Sequence, residues 1–514
     1  MIYRFYFILI LILPWFKGGN ADFPIRYIIY SGFAICLLSL VYGNAQKIIQ
    51  SRNKMYFCGF IVFTLSLLML GRNDIARENI ELNTEELKKN INFQSDIGKK
   101  LLNTINNLSY ITEENAYYSL FNIKNDIYYK FENIELSDVK TINTIYRKIL
   151  NNYSPYIPVL NFHKFSNALL FFNIIFCLLI PFNILKLKSH KTLKQFSLFF
   201  LINASILCLI GIMEKIGLIS FSSEKPLLGI WEVSDPRYYF ATFSYKNHWG
   251  AFAVLSLIHG IAYLVSNIKS RNCGIWKTLF LVLLLSIIFF SLILVDSRSS
   301  ILVVFFFAFC LIFFVTKYRS YAIIFTITFT SLFLIIDDRS SNSSLINRTI
   351  HQLNAIKEEN YPFRFLLWND IFHQINNKTF WGYGFNSYSK INPLFQSELT
   401  VNARYIVTNN AHTDFTPAIK STHSDVLQTF SELGFITFLF IFFPILFFVL
   451  REILFGRSYY TRVLSLGCLA YIFYSLIDLP NSSFANFNCF ICTLFIIFAY
   501  SRCTFGKSSF QKSS

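Results

Sequence analysis

Long apolar stretches separated by short basic connections constrain the fold of this chain more than any other feature. About twelve stretches approach the ~20 residues that a helix needs to cross the hydrocarbon core of a bilayer. They lie at residues 2–16, 26–42, 55–71, 167–185, 196–213, 248–268, 276–295, 300–316, 321–336, 433–450, 463–479 and 485–501. We therefore predict an all-α polytopic membrane protein with about twelve transmembrane helices, the first of them a helix rather than a signal peptide.

The distribution of charge predicts how these helices are oriented. A net charge of +17 would by itself be compatible with nucleic-acid binding. The basic residues, however, concentrate in alternate short connections, at 43–54, 186–195, 269–277, 317–320 and 451–462, and in the C-terminal tail. Cytoplasmic loops carry such an excess of Lys and Arg, so we predict cytoplasmic termini, contacts with membrane lipids and no nucleic-acid partner.

Two long segments fall on the opposite, extracytoplasmic side and divide the chain into five regions. These are N-terminal transmembrane helices (1–71), an extracytoplasmic helical insertion (72–166), central transmembrane helices (167–336), a large extracytoplasmic catalytic loop (337–432), and C-terminal transmembrane helices with a basic cytoplasmic tail (433–514). Apolar residues at helical spacing predict amphipathic helices in the insertion, without identifiable chemistry. Neither long loop contains any of the ten cysteines, so no disulfide framework is predicted.

Cationic residues recur at the predicted outward ends of the helices. Arg298 lies in a short outward connection, where positive residues are disfavoured, and this favours a functional role over a snorkelling cation. Lys246 and Asn247 open a span, where a lysine and free N–H groups bind an anion or where a lysine serves as an interfacial anchor. Arg364 begins a predicted amphipathic helix and suits bidentate contacts with phosphate, although alone it would be a surface residue.

A histidine and two acidic residues precede the span predicted at 433–450. His423 is a candidate general base, and it precedes a predicted helix that brings Asp425 and Glu432 near the membrane surface. A second His-x-Asp unit at 412–414 raises a metal site as an alternative. Its spacing matches no established metal motif, so the base role is favoured and no metal or cofactor is predicted.

Together, these residues resemble the O-antigen ligase and polymerase superfamily of membrane glycosyltransferases, the Wzy-C-like family. The family hallmark is a His followed by Asn, Ser or Gln, nine residues, Gly, two residues, and Gly, Thr or Tyr. His423-Ser424, Gly434 and Thr437 match every specified position. The other motifs that carry the resemblance are Ser297-Arg298-Ser299, Arg364 with Trp368 and Gly382-Tyr383-Gly384, and Asp478-Leu479-Pro480.

The resemblance implies an inverting glycosyl transfer on the periplasmic face, without a metal. The donor would be an undecaprenyl-diphosphate-linked glycan, and the acceptor a hydroxyl of lipid A-core or of another glycan. His423 would act as the base, with Arg298 and Arg364 stabilising the diphosphate leaving group. The predicted substrate-binding residues are Lys246, Asn247, Asp425 and Glu432.

Other functions remain open at this point. A polysaccharide polymerase and a protein O-oligosaccharyltransferase belong to the same superfamily and would use the same residues. A solute transporter is the alternative from another class. Because the sequence has no evident inverted repeat and its charged candidates lie at one surface, the transporter is disfavoured.

Overall fold

The computed structural model describes the central and C-terminal parts of the chain. The described residues are 8, 10–17, 190–219, 221, 227–230, 239–269, 274–295, 297–315, 320, 323–324, 326–328, 330–331, 363–377, 379–380, 382–383, 388, 392, 397, 399–400, 419 and 421–510. The spans predicted at 26–42, 55–71 and 167–185, the insertion at 72–166 and most of 337–418 lie outside them.

Eight α-helices are described from end to end in this part of the chain. They are α1 His190–Lys215, α2 Lys246–Lys269, α3 Ile275–Leu294, α4 Arg298–Phe314, α5 Phe363–Asn377, α6 Asp425–Phe455, α7 Tyr459–Ile477 and α8 Phe484–Phe510. Short 3-10 helices occupy Leu13–Trp15 and Pro480–Ser482. The described residues include one isolated bridge, between Phe240 and Phe243.

Six of these helices are long and apolar enough to cross a membrane, namely α1, α2, α3, α6, α7 and α8. Helix α4 is shorter, with 17 residues. The predicted all-helical, multi-pass character is therefore confirmed for the described residues, whereas the number of twelve spans stays a prediction. Helix α6 begins at Asp425, directly after the turn of His423, as expected, and the apolar span predicted at 433–450 lies inside it.

The chain divides into two compact units. The first contains residues 1–55, 164–350 and 443–514, and the second contains 56–163 and 351–442. Helix α2 is central to the first unit and packs against α1, α3, α4, α7 and α8. Gly250 permits this packing, because a Cβ atom there would collide with Ser300 of α4.

A buried histidine joins four helices of the first unit. His259 of α2 lies with Nδ1 2.8 Å from Ser197 Oγ of α1 and with Nε2 2.9 Å from Thr493 Oγ1 of α8. Ser197 Oγ also lies 2.6 Å from Tyr460 Oη of α7. Thr493 donates its proton to the Cys489 carbonyl, so its hydroxyl accepts from the ring and the proton is assigned to Nε2. This neutral tautomer satisfies both ring nitrogens inside the helix bundle.

The second unit is built around the packing of α5 on the beginning of α6. Its apolar core contains Leu367, Ile371, Ile375, Tyr388 and Ile419, with Phe363, Leu427 and Phe430 packed against it. The core residues of α5 recur at intervals of four, which is the spacing of one helical face. This packing fixes the first turns of α6, the region that follows His423.

Candidate functional site

Arg298 is the first residue of α4 in the first unit. Its side chain is exposed, while the neighbouring Ser297 and Ser299 are 1% and 7% exposed. Ser297 caps the helix by accepting a hydrogen bond from the backbone N–H of Ser300. Arg298 is therefore not a buried cation. Its side chain is exposed, while the buried residues Ser297 and Ser299 on either side fix the position of its backbone.

A buried hydrogen-bond network holds these two serines. Ser297 Oγ donates to Asn247 Oδ1 at 2.8 Å, and Ser299 Oγ donates to Asp478 Oδ2 at 2.8 Å. Asn247 Nδ2 donates to the same carboxylate oxygen at 2.7 Å and to Tyr245 Oη at 2.9 Å. The start of α2, the start of α4 and the end of α7 are thus tied together.

Tyr474 of α7 also belongs to this network. Its hydroxyl donates to the Asn247 carbonyl at 2.9 Å and lies 3.0 Å from Ser300 Oγ. Lys246, the first residue of α2, is half-buried beside Asn247. The structure therefore brings together Lys246, Asn247, Arg298 and Asp478, which the sequence presents as separate motifs.

His423 lies immediately before α6 in the second unit, with a left-handed backbone at φ 55°. Histidine is among the few non-glycine residues enriched in this conformation. Ser424 follows as the N-cap, and its Oγ accepts from the Leu427 N–H at 3.3 Å. Thr422 Oγ1 donates to the Ser424 carbonyl at 2.6 Å and accepts from the Ser424 N–H at 3.0 Å. His423 is therefore held between two residues that hydrogen-bond around it.

Helix α5 is attached to this turn. Trp368 Nε1 donates to the Thr422 carbonyl at 3.1 Å, one residue before His423. Arg364 is half-buried and lies four residues before Trp368, so both side chains occur on one side of α5. Within the second unit, Arg364 and His423 are thus positioned by the same contact between α5 and α6.

Gly434 interrupts α6 with φ 73° and ψ 169°, a conformation that is essentially restricted to glycine. A break of this kind leaves the next backbone N–H groups without their usual partners in the preceding turn. The N–H of Phe435 donates instead to the Thr379 carbonyl at 2.7 Å, and that of Ile436 to the Phe380 carbonyl at 3.3 Å. The glycine of the family hallmark is therefore a docking point for the turn that follows α5.

Gly382 lies in that turn, directly against the break. A Cβ atom at this position would lie 2.5 Å from the Glu432 carbonyl oxygen, and its φ of 65° also favours glycine. The next residue, Tyr383, donates its N–H to the Ser431 carbonyl at 3.2 Å. The two glycines, 382 and 434, are thus required by a single close approach of two backbones.

The acidic candidates differ in their environment. Asp425 is the half-buried first residue of α6, where a negative charge is favourable to the helix dipole. Glu432 is only 4% exposed, and its Oε1 accepts from the Tyr388 N–H at 3.2 Å and from Gln428 Nε2 at 3.1 Å. These contacts show that Glu432 anchors the backbone at Tyr388. Substrate binding by Asp425 or Glu432 stays a prediction.

Sequence patterns did not identify the residues that support Arg298. The sequence motif included Ser297 and Ser299 only as neighbours of Arg298. Tyr474 was not singled out, because it is one tyrosine of an apolar helix. A signal was nevertheless present, because polar residues inside membrane-length helices are costly unless they are paired.

A separate polar pair lies at the end of α1. Tyr239 Oη donates to Glu214 Oε1 at 2.7 Å, and Lys215 Nζ lies 5.3 Å from the Tyr239 ring centroid. Burial raises the pKa of Tyr239, and the hydrogen bond to Glu214 raises it further. The phenol therefore stays protonated and donating, which is a structural role.

No group of three or more His, Cys, Asp or Glu side chains suited to a metal ion occurs among the described residues. His412 and Asp414, the other half of the repeated His-x-Asp pattern, lie outside the described ranges. The alternative of a metal site at that pattern is therefore not addressed by the geometry.

Comparison with known families bears directly on these residues. A family model described as O-antigen ligase matches residues 281–442. The predicted resemblance to the O-antigen ligase family is confirmed. The match covers about a third of the chain and contains Arg298, Arg364 and His423, whereas Lys246 and Asp478 lie outside it. No curated protein matches the sequence.

Proposed function

We propose that this chain is an O-antigen ligase-like inverting glycosyltransferase of the bacterial inner membrane. It moves a glycan from an undecaprenyl-diphosphate carrier to an acceptor hydroxyl on the periplasmic side, with lipid A-core as the first acceptor to test. The family match and the multi-pass helices support a membrane enzyme that transfers glycosyl groups.

The arrangement around His423 carries this proposal. The histidine is held in a left-handed turn ahead of a capped helix, and Trp368 ties that turn to the helix of Arg364. A base and a cation that share one rigid support suit a reaction in which one hydroxyl loses a proton while a diphosphate leaves. The left-handed backbone of His423 and the attachment of its turn to α5 hold the imidazole in one position.

In the proposed reaction, the acceptor hydroxyl gives its proton to His423 as its oxygen attacks the anomeric carbon. The Nδ1 atom of His423 is buried, so we assign Nε2 as the atom that accepts the proton of the acceptor hydroxyl. The new bond between carbon and oxygen forms on the face opposite the diphosphate, and the configuration inverts. The bond to the diphosphate oxygen breaks, and its electron pair leaves with undecaprenyl diphosphate.

Two cations stabilise the negative charge that develops on the leaving group. We assign this role to Arg298 and Arg364, because arginine keeps its charge and offers a planar donor pair to phosphate oxygens. Lys246 adds a further positive charge at the start of α2, where the helix dipole also favours an anion. The arginines thus provide the charge compensation for which other glycosyltransferases use a metal ion.

The functional test is a deletion of the gene followed by complementation. The surface glycan is resolved on gels from cells that express the wild type, His423→Ala or His412→Ala. Wild type is expected to restore long glycans on the core and His423→Ala to leave them on the lipid carrier. His412→Ala is the control and should cause a milder loss.

The same experiment separates the alternatives. Single-repeat glycans on the core after deletion would indicate a polymerase, and loss of glycan from proteins alone would indicate a protein O-oligosaccharyltransferase. An unchanged glycan profile, or full activity of His423→Ala at normal membrane levels, would contradict the proposed function. Substrate-dependent flux in sealed vesicles would then favour a transporter.

A further inference from the structure

Helix α5 exposes an aromatic face on the side opposite its core. Its buried residues, which include Leu367 and Ile371, occupy one side of the helix. Phe365 and Phe372 on the other side are 49% and 51% exposed. The remaining exposed residues of this face are Asn369, His373 and Asn376. Large exposed aromatic side chains in a row commonly mark an interaction surface.

This surface, which we call the α5 face, begins beside the candidate site. Phe365 follows Arg364 directly, and its ring centroid lies 5.5 Å from that of Trp368 in an edge-to-face arrangement. Trp368 in turn donates to the carbonyl before His423. From Phe365 to Phe372 the face extends along the helix by about 10 Å, which is more than one sugar ring.

The chemistry of the α5 face indicates its partner. Aromatic rings pack against the apolar C–H faces of sugar rings, while amides and imidazole donate to and accept from hydroxyl groups. Asn369 and His373 interrupt the apolar surface and would lose water without compensation if the face were inserted in lipid. The face also carries no charged residue, in contrast to amphipathic helices that bind anionic membranes.

We propose that the α5 face is a glycan-binding subsite that holds the sugar units of the donor beyond the reacting one. This inference rests on the proposed function. The donor rather than the acceptor is the expected occupant, because Phe365 directly follows Arg364, to which we assign the diphosphate. A glycan that extends from that diphosphate would pass first over Phe365 and then over Phe372. The subsite would therefore discriminate donors by chain length.

The first test compares donors of different length. Undecaprenyl-diphosphate-linked glycan is isolated from cells that lack this chain and is separated into single-repeat and long-chain fractions. For the double variant Phe365→Ala/Phe372→Ala, the ratio of kcat/KM for long over single-repeat donors should fall about tenfold, through KM. Phe309→Ala removes a comparably exposed ring from α4 and should leave the ratio unchanged.

The second test is independent of turnover. Photoreactive benzoylphenylalanine replaces Phe372 in the membrane-embedded protein, and the isolated long-chain donor is added before illumination. A crosslink to the glycan supports the subsite, whereas crosslinks to phospholipid alone would show that the face contacts the membrane and would overturn it. An unchanged length ratio in the double variant would also overturn it. If wild type transfers neither donor, the proposed function itself fails.

Discussion

The two groups of candidate residues are held in place by different kinds of interaction. In the first unit, Arg298 stands on a buried network of side chains in which Asn247 and Asp478 are central. In the second unit, the turn of His423 is held by hydrogen bonds between side chains and the backbone, through the Ser424 cap and Trp368. The positions of Arg298 and His423 should therefore be disturbed by different substitutions.

This difference has a physical origin. Arg298 starts a membrane-embedded helix bundle, where buried polar side chains must satisfy one another because water is absent. His423 starts a helix that is already broken at Gly434, where the exposed N–H groups require carbonyl partners from another segment. Conservative side-chain swaps should thus preserve the first arrangement, whereas the backbone contact at residues 382 and 434 requires glycine.

The largest effect is expected for Gly382→Ala. The added methyl group would lie 2.5 Å from the Glu432 carbonyl oxygen, so the turn must move and the N–H groups of Phe435 and Ile436 lose their partners. Two backbone N–H groups left without acceptors correspond to a loss of transfer of about 100-fold. The measurement is transfer rate per inserted protein. Gly274→Ala, which has open space for its methyl group, is the control, and wild-type rates for Gly382→Ala would refute the backbone contact.

A smaller but still large effect is expected for Asp478→Ala. It leaves Asn247 Nδ2 and Ser299 Oγ without their shared acceptor, at roughly 1–3 kcal/mol for each group. Both the midpoint of thermal unfolding and the transfer rate should fall. In the swap Asn247→Asp/Asp478→Asn, one amide still faces one carboxylate, so activity should recover above that of Asp478→Asn alone. A swap with merely additive losses would show that the network is not the support of Arg298.

Trp368→Phe should have an intermediate effect. It retains an aromatic ring but removes the hydrogen bond to the Thr422 carbonyl, which is worth about 0.5–1.5 kcal/mol. We expect kcat to fall about three- to tenfold, because the loosened contact affects both Arg364 and His423. Trp276→Phe changes a tryptophan that is 82% exposed and serves as the control. Equal kcat values for the two variants would argue against the coupling of α5 to His423.

The smallest and most specific effect concerns two helix caps. Ser424 caps α6 and Ser458 caps α7, so replacing either by Ala should lower the unfolding free energy by about 1 kcal/mol. Only Ser424 adjoins His423, and Ser424→Ala should therefore also lower kcat by a few-fold. Ser424→Asn, which restores a cap, should regain activity. Equal kcat values for Ser424→Ala and Ser458→Ala would show that the cap does not position the histidine.

The sequence predicted the class of fold and the neighbourhood of the candidate residues. Apolar length and basic connections are local properties, and they correctly indicated a multi-pass helical protein among the described residues. The sequence also placed a helix directly after His423, and α6 begins at Asp425. The roles of His423, Arg298 and Arg364 stay predictions.

The supporting contacts were beyond sequence reasoning. Asp478 and Ser299 are 179 residues apart, and no local pattern pairs a carboxylate in α7's C-cap with a serine in α4. The break of α6 at Gly434 was missed, because the carbonyl groups that accept from the N–H groups after it belong to Thr379 and Phe380 in another segment. Gly382 was identified as a turn residue, but its collision partner is a backbone fifty residues away.

The histidine shared by four helices has a consequence for how the protein is made. The ring of His259 enters the bilayer with α2, but the hydroxyl of Thr493 that accepts its Nε2 proton arrives only with α8, the last described helix. During synthesis, the Nε2–H group of His259 therefore lacks its acceptor, Thr493, until α8 has inserted. Membrane proteases can recognise such an unpaired polar group. We expect chains that end before α8 to be degraded rapidly, and His259→Leu to lengthen their half-life in a pulse-chase experiment. Formation of the hydrogen bond between His259 and Thr493 would then protect the completed helix bundle from degradation.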